Sequence, residues 1–528
     1  MKQYKKSNIH QKFLQKWKPQ KALIIFSLLI FISSFIISPI SSAEINVLDE
    51  NDDKTLLLKF EIGTKKDNIY IISNLFVKYI STMYIQSDDA FIEIEPTSSY
   101  TFESSGVYKI IIKFKDYLEN LSQMFFRAYY LKEIDFSFFN TKNVKDMSYL
   151  FLSLDKLTKI EFGNIDTSKV TTIGSMFSGC AGLTFLNLSN FNTKNVVNMG
   201  GLFSGCKKLT SVIINKDTFV TDNVFYFYTM FSQCSFEFDF SNFNTENVED
   251  MQDMFAGSSM KNLKLSNFDT SSVTNMEGMF KGSSYISLDL SNFNTKLVKS
   301  MVRMFENCSN LKSINLSGFK TLRVENFDSM FKGCLSLTSL DLSSFNTVRV
   351  IRMDNMFYDC QSLLRLDLSS FDTSNVEYMN SVFKGCKSLT SIDLSHFETK
   401  KVYSFSYMFD SCLSLKGVNL TNFDISETRY MSNMFSNCYK LTSIDFSKFR
   451  KGNNLLFDIS NMFYNCNSLK TINLKNFNLT RFKSDYYEFD FTDLFTGVNE
   501  KGVLTVTIDM IPSKIQDVFP EGWTIKTD

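Results

Sequence analysis

The sequence predicts an α/β solenoid built from repeats of about 26 residues, with a parallel β-sheet on one face and short helices on the other. Three observations lead there. A unit of the form LxxLDLSxFNTxxVxxMxxMFxxCxx returns from about residue 121 to residue 495, as in Leu337 to Phe383, which holds one unit and most of the next. The Phe that closes each MF pair falls at 125, 151, 177, 203, 231, 255, 280, 305, 331, 357, 383, 409, 435, 463 and 495. A fixed period of this size implies stacking, because one unit alone cannot bury its apolar face.

The apolar spacing then changes within each unit. Leu337, Leu340, Leu342 and Phe345 suit a short strand and a turn, whereas Val350, Met353, Met356 and Phe357 are spaced as one face of a 3.6-period helix. Thr347 stands three residues before Val350, where its hydroxyl would cap such a helix. A second Phe ladder follows the strand at 191, 219, 243, 268, 293, 319, 345, 371, 397, 423, 449 and 477. Together the two ladders account for many of the 55 phenylalanines, and they predict an interior of Leu, Phe, Val and Met.

With these residues in view, the repeat resembles the BspA-like leucine-rich repeats, in the Mycoplasma lipoprotein-associated variant whose units read MxxMFxxCxxLxxLDLSxFDTSNV. Residues 370–397, SFDTSNVEYMNSVFKGCKSLTSIDLSHF, carry that likeness almost position by position. The resemblance implies leucine-rich repeats and a surface or secreted protein concerned with adhesion or host contact. It implies no particular ligand.

In chain order, residues 1–43 form a signal peptide or signal anchor, 44–120 a β-rich N-terminal cap domain, 121–495 the repeat array and 496–528 a C-terminal cap. Seven lysines precede the first acid, Glu44, and the stretch from Ala22 to Ile40 has no charge and is followed by SSAE. That pattern reads as a secretory signal cut after Ala43, or as a retained membrane anchor with its basic end in the cytoplasm. Either reading places the repeats outside the cell, extracellular or on its surface. Leu56–Ile62 and Val107–Phe114 read as strands that cover the first rung. At the other end the acidic-aromatic DYYEFDF interrupts the repeat, VLTVTIDM reads as a closing strand, and Trp523 is expected to pack against the last rung.

Charge excludes one class of partner. Lys plus Arg equals Asp plus Glu at 56 each, but removing residues 1–43 leaves 49 basic against 56 acidic residues, so a basic footprint for nucleic acid is missing. All ten cysteines, from Cys180 to Cys466, lie three residues after an MF Phe, and Ser258 and Ser283 fill that position elsewhere. This ladder predicts small buried free thiols and no metal site. Enzyme chemistry is not expected: His10 and His396 are the two histidines, and GxSxG, HExxH and Walker sequences do not occur. Accordingly no catalytic residue and no cofactor is assigned.

The position between the last two strand leucines forms an acid and amide ladder. Its aspartates, Asp289, Asp341, Asp367, Asp393 and Asp445, are the candidate partner-binding residues, alternating with Asn315, Asn419 and Asn473. Stacked about 5 Å apart, like charges there are expected to raise one another's pKa values. Such a stripe is either a solvated face or a surface that attracts a basic partner. The resulting expectation is an adhesin-like binding protein for a host or neighbouring-cell protein or glycan. The alternative is a structural, self-assembling cell-surface protein. Residues 211–240 depart from the repeat, with Ile213 at the ladder position and Phe236 and Phe238 replacing leucines. They read as a contact site or as a junction repaired by bulkier packing.

Overall fold

The computed structural model describes residues 52–64, 66–87, 90–449, 455–475, 477–480 and 490–527. The signal or anchor assigned to residues 1–43 and residues 485–489 of DYYEFDF lie outside these residues. Two compact units are present: one contains the chain up to Tyr117 with Tyr130–Thr141 and Ile160–Ile165, and the other contains the remainder.

The first unit is built on strands β1 (Thr55–Ile62), β2 (Lys66–Tyr70), β3 (Ile80–Ser87), β4 (Ala90–Ile94), β5 (Ser99–Phe102), β6 (Gly106–Phe114), β7 (Leu131–Asp135) and β8 (Lys159–Glu161). Six of them form a sheet in the order β4-β3-β6-β1-β7-β8, and β2 pairs with β5. The two strands expected from the sequence, β1 and β6, are antiparallel neighbours in register from Thr55↔Lys113 to Ile62↔Gly106. Leu56, Leu58, Phe60 and Ile62 alternate onto the buried face, as a half-covered strand requires.

In the second unit the coils stack in parallel, but each contributes little regular strand. Strands β9 (Phe185–Leu188) and β10 (Ser211–Ile214) pair, as do β11 (Ser287–Asp289) with β12 (Ser313–Asn315) and β13 (Ser391–Asp393) with β14 (Gly417–Asn419). At the C-terminal end β15 (Ser443–Asp445), β16 (Thr471–Asn473), β17 (Val503–Val506) and β18 (Thr524–Thr527) make one four-stranded parallel sheet. The closing strand expected from VLTVTIDM is therefore present. Trp523 is buried, and its indole Nε1 donates to the Asn499 carbonyl at 2.7 Å.

The α/β solenoid with a helix in every repeat is overturned. The fold is β-dominant, with small scattered sheets, and its described α-helices are the single turns Asn74–Val77 and Ser513–Gln516. The stretch from Val350 to Cys360 shows why. Met356, Tyr358 and Cys360 donate three residues back, to Met353, Asn355 and Phe357, closing successive tight turns. The alternate N–H groups leave the coil: Met353, Asn355, Phe357 and Asp359 donate to Tyr378, Asn380, Val382 and Lys384 at 2.7–3.0 Å. Asn355 and Asp359 reach this arrangement with φ of 56° each, in the left-handed region that an α-helix cannot contain. A three-turn helix is marginal alone, and here its backbone groups find partners in the next coil instead. At the equivalent position Gly385 has φ 73°, and a Cβ there would lie 2.2 Å from Asp359 Oδ1.

This wall carries its own parallel ladder. Fourteen single bridges link Asn120, Asp146, Thr172 and their successors to Asp490, one residue per coil. Behind it the MF phenylalanines stack without a break from Phe125 to Phe495, with ring centroids 5.3–6.1 Å apart. Every residue of the second Phe ladder is also buried. Where leucines give way to Phe236, Phe238 and Phe240, these rings are buried against Phe231, Phe243 and Phe255, so bulkier packing fills that junction. Ile213, one coil earlier, is exposed.

Candidate functional site

Two buried ladders hold the coils together and thereby fix which side chains face outward. The ladder threonine is the first. Thr399 Oγ1 donates to the Asp424 carbonyl at 3.0 Å and accepts the Asp424 N–H at 2.7 Å. Thr373 does the same to Glu398, and Thr321 to Asn346. Thr347 bonds the Asp372 carbonyl, so it clamps the next coil where the sequence suggested a helix cap. The preceding Asn or Asp closes a turn of its own: Asp372 Oδ1 accepts the Ser374 N–H, and Asn346 Oδ1 that of Val348.

Cysteine forms the second ladder. All ten are free and buried, as the spacing predicted. Each thiol donates to the carbonyl of the MF Phe one coil earlier, at 3.0–3.2 Å. Burial pushes the thiols of Cys206, Cys386 and Cys466 up to about 12. Where Ser258 replaces Cys, its hydroxyl takes a partner of its own, the Tyr285 hydroxyl at 2.7 Å. A buried hydroxyl needs that bond more than a thiol does.

The candidate aspartates project outward from this frame. Asp289, Asp341, Asp367, Asp393 and Asp445 are all exposed. The register sets Asp289 beside Asn315, Asp393 beside Asn419 and Asp445 beside Asn473. Each candidate also shapes its own turn. One carboxylate oxygen accepts the backbone N–H two residues on, from Ser291, Ser343, Ser369, Ser395 and Ser447, at 2.8–3.1 Å. These bonds turn the chain away from the strand. They also reverse the pKa expectation. Hydrogen bonds from Ser291 hold the Asp289 carboxyl below its ordinary value, and Ser343, Ser369 and Ser395 do so for Asp341, Asp367 and Asp393. Repulsion from Asp367 acts on Asp341 but is outweighed. These four carboxylates are accordingly charged at neutral pH.

Asp239 occupies the same ladder position but is hard to single out from the sequence, because its neighbours are Phe238 and Phe240 where the repeat has leucines. Hydrogen bonding to Lys216 lowers it to about 2. His396, which stands where other coils have Ser or Gly, is half-buried. Its ring Nε2 lies 2.8 Å from the Leu368 carbonyl, in the place where Ser370 Oγ donates to Leu342. Among the described residues no group of three or more His, Cys, Asp or Glu side chains is arranged to hold a metal, and no helix is long and apolar enough to cross a membrane.

A leucine-rich repeat protein from Bacteroides ovatus is similar in structure at 18% identity and a TM-score of 0.33, over 72% of this chain and 86% of that one. One from Eubacterium ventriosum is similar at 18% identity and a TM-score of 0.33, over 65% and 83%. No curated protein matches. The family described as Mycoplasma protein of unknown function, DUF285, matches residues 119–235, 225–339, 336–449 and 392–499. With its repeats covered almost from end to end, the chain belongs to that family.

Proposed function

We propose that this chain is a surface-exposed or secreted binding protein, adhesin-like, which recognises a protein or glycan partner through its repeat surface. The observation that carries this reading is a division of labour within each coil. Leu, Val, Met, Phe, Cys and Thr hold the stack, while the exposed strand position varies among Asn187, Ile213, Asp239, Lys264 and Asp289 in successive coils. Recognition can therefore change without disturbing the interior. The resemblance to BspA-like surface proteins and the export pattern in residues 1–43 support the same reading. The acidic run Asp341, Asp367 and Asp393 suits a basic partner surface, by attraction that salt would weaken.

Replacing those three by Asn tests this cleanly. Asn315 and Asn419 already accept the same turn N–H in their own coils, at 3.2 and 3.3 Å. The triple variant should keep its fold and lose binding to host-cell or matrix surfaces at low salt. Equal binding by wild type and variant would show the stripe to be a solvated face only. A second reading, self-assembly into a coat, is favoured by β18, which ends its four-stranded sheet with every residue exposed and offers an edge for pairing. Long polymers at rising concentration in sedimentation would support it over the adhesin.

A further inference from the structure

The coils around residues 296–349 break the pattern of their neighbours. In several coils an Asn before the buried Val ties its coil to the one before: Asn195, Asn223, Asn247 and Asn375 donate Nδ2 to the carbonyls of Ser168, Lys194, Asp222 and Val348 at 2.7–2.8 Å. In the four successive coils between Asn247 and Asn375 that position is Ser272, Leu297, Arg323 and Arg349. The residue before it, polar in most coils, is the exposed Leu322 in one of these coils and Val348 in the next.

A concavity of 460 Å³ opens at this break, lined by Lys296, Leu297, Lys320, Leu322, Arg323 and Asn346 among others. Lys296, Lys320 and Arg323 form no salt bridge among the described residues, although the stack as a whole is rich in carboxylates. Lys296 does lower the Asp269 carboxyl from a distance, as the weakest of its influences. Asn346 commits its Oδ1 to the Val348 N–H, which leaves its amide group as a donor.

We propose that this concavity binds an acidic saccharide, one carrying carboxylate or sulfate groups. Arg323 presents a planar fork that matches either group with two parallel bonds, and the two lysines add charge on the adjoining coils. Leu297 and Leu322 supply an apolar floor for the C–H face of a sugar ring. An extended acidic peptide fits less well. It would bind most readily by pairing with a strand edge, and here the Lys320 N–H and both backbone groups of Asn346 are already taken by Thr295 and Thr321 hydroxyls. This site is separate from the acidic stripe and goes beyond the binding role proposed above.

The experiment is titration calorimetry on the full chain with four probes at low salt: a heparin-derived octasaccharide, an unsulfated oligogalacturonate, a neutral dextran oligomer and a poly-glutamate peptide. The first or second should bind, and dextran should not. A response to heparin alone assigns sulfate, and a response to oligogalacturonate alone assigns carboxylate. Lys320→Ala with Arg323→Ala should weaken binding at least tenfold, and Arg323→Lys should weaken it less. The exposed pair Lys207→Ala and Lys208→Ala removes the same charge elsewhere and should change nothing. The D341N/D367N/D393N variant should bind the saccharide as well as wild type does, whatever the fate of the stripe. No binding by either acidic saccharide overturns the proposal, as does equal loss in the Lys207/Lys208 control. Tighter binding of poly-glutamate that is lost in the Lys320/Arg323 variant would replace a saccharide with an acidic peptide.

Discussion

Thr399 tests the clamp between coils at a single atom. Its side chain is fully buried, and its hydroxyl satisfies both the N–H and the C=O of Asp424, itself a buried residue. Thr399→Val keeps the shape and removes the oxygen, stranding both backbone groups. Each such group costs about 1–3 kcal/mol when left unpaired, so the variant should lose about 2–6 kcal/mol. Thr399→Ser keeps both bonds and removes one buried methyl, for a loss of about 1 kcal/mol. A helix cap would tolerate Asn in place of Thr. The clamp would not, because Thr399→Asn must bury an amide where no room or partner is provided. Urea unfolding of the full chain measures the order, and hydrogen exchange at the Asp424 amide locates the effect. In a stack of coils the damage should stay local, so that amide should lose protection in the Val variant and keep it in the Ser variant. If Val is no worse than Ser, or Asp424 exchange is unchanged, the clamp does not hold the coils.

Further expectations follow from the other ladders. Phe357 is fully buried between Phe331 and Phe383, at 5.9 and 5.8 Å and nearly parallel to both; Phe357→Ala should cost about 3–5 kcal/mol and split the unfolding transition at that coil, visible by hydrogen exchange. Thiol reagent at pH 8 should leave the native protein unmodified, since burial raises even Cys308 to about 11, and should modify all ten cysteines once the chain is unfolded. Asp239, held at about 2 against an ordinary 3.8, contributes stability that is complete above 3.8 and disappears as pH falls towards 2. Removing Lys216 as Lys216→Met should raise that carboxyl towards 3.8 in a carbon NMR titration, while Ser241 keeps it somewhat below.

Much of this architecture is legible in the residues. The period, the parallel stacking, the two Phe ladders and the free cysteine ladder each follow from which positions must be apolar and small. Position by position, Leu337, Val350, Met353, Met356, Phe357 and Cys360 are all buried. The outward placement of Asp341 and its equivalents is also readable, but their role in the turn is not, because a ladder of acids signals charge and says nothing of local geometry. One overlooked signal lies in plain view. The residue before each Cys is usually Gly, Asn, Asp or Ser, types that accept the left-handed backbone observed at Gly333, Asp359, Ser411 and Asn437.

What the tertiary structure alone decided is where the backbone hydrogen bonds go. Apolar residues spaced three and four apart fit a helix, and they fit equally a run of tight turns with the same inner face. The apolar spacing within one repeat does not distinguish these, because the partners of Met353, Asn355 and Phe357 are Tyr378, Asn380 and Val382, a full coil away. The same holds for Thr399, whose hydroxyl is aimed at Asp424, and for Lys320 and Arg323, which share a concavity with Lys296 only because successive coils stack in register. Sequence determines which atoms must leave water; stacking determines which neighbour satisfies the polar groups that leave with them.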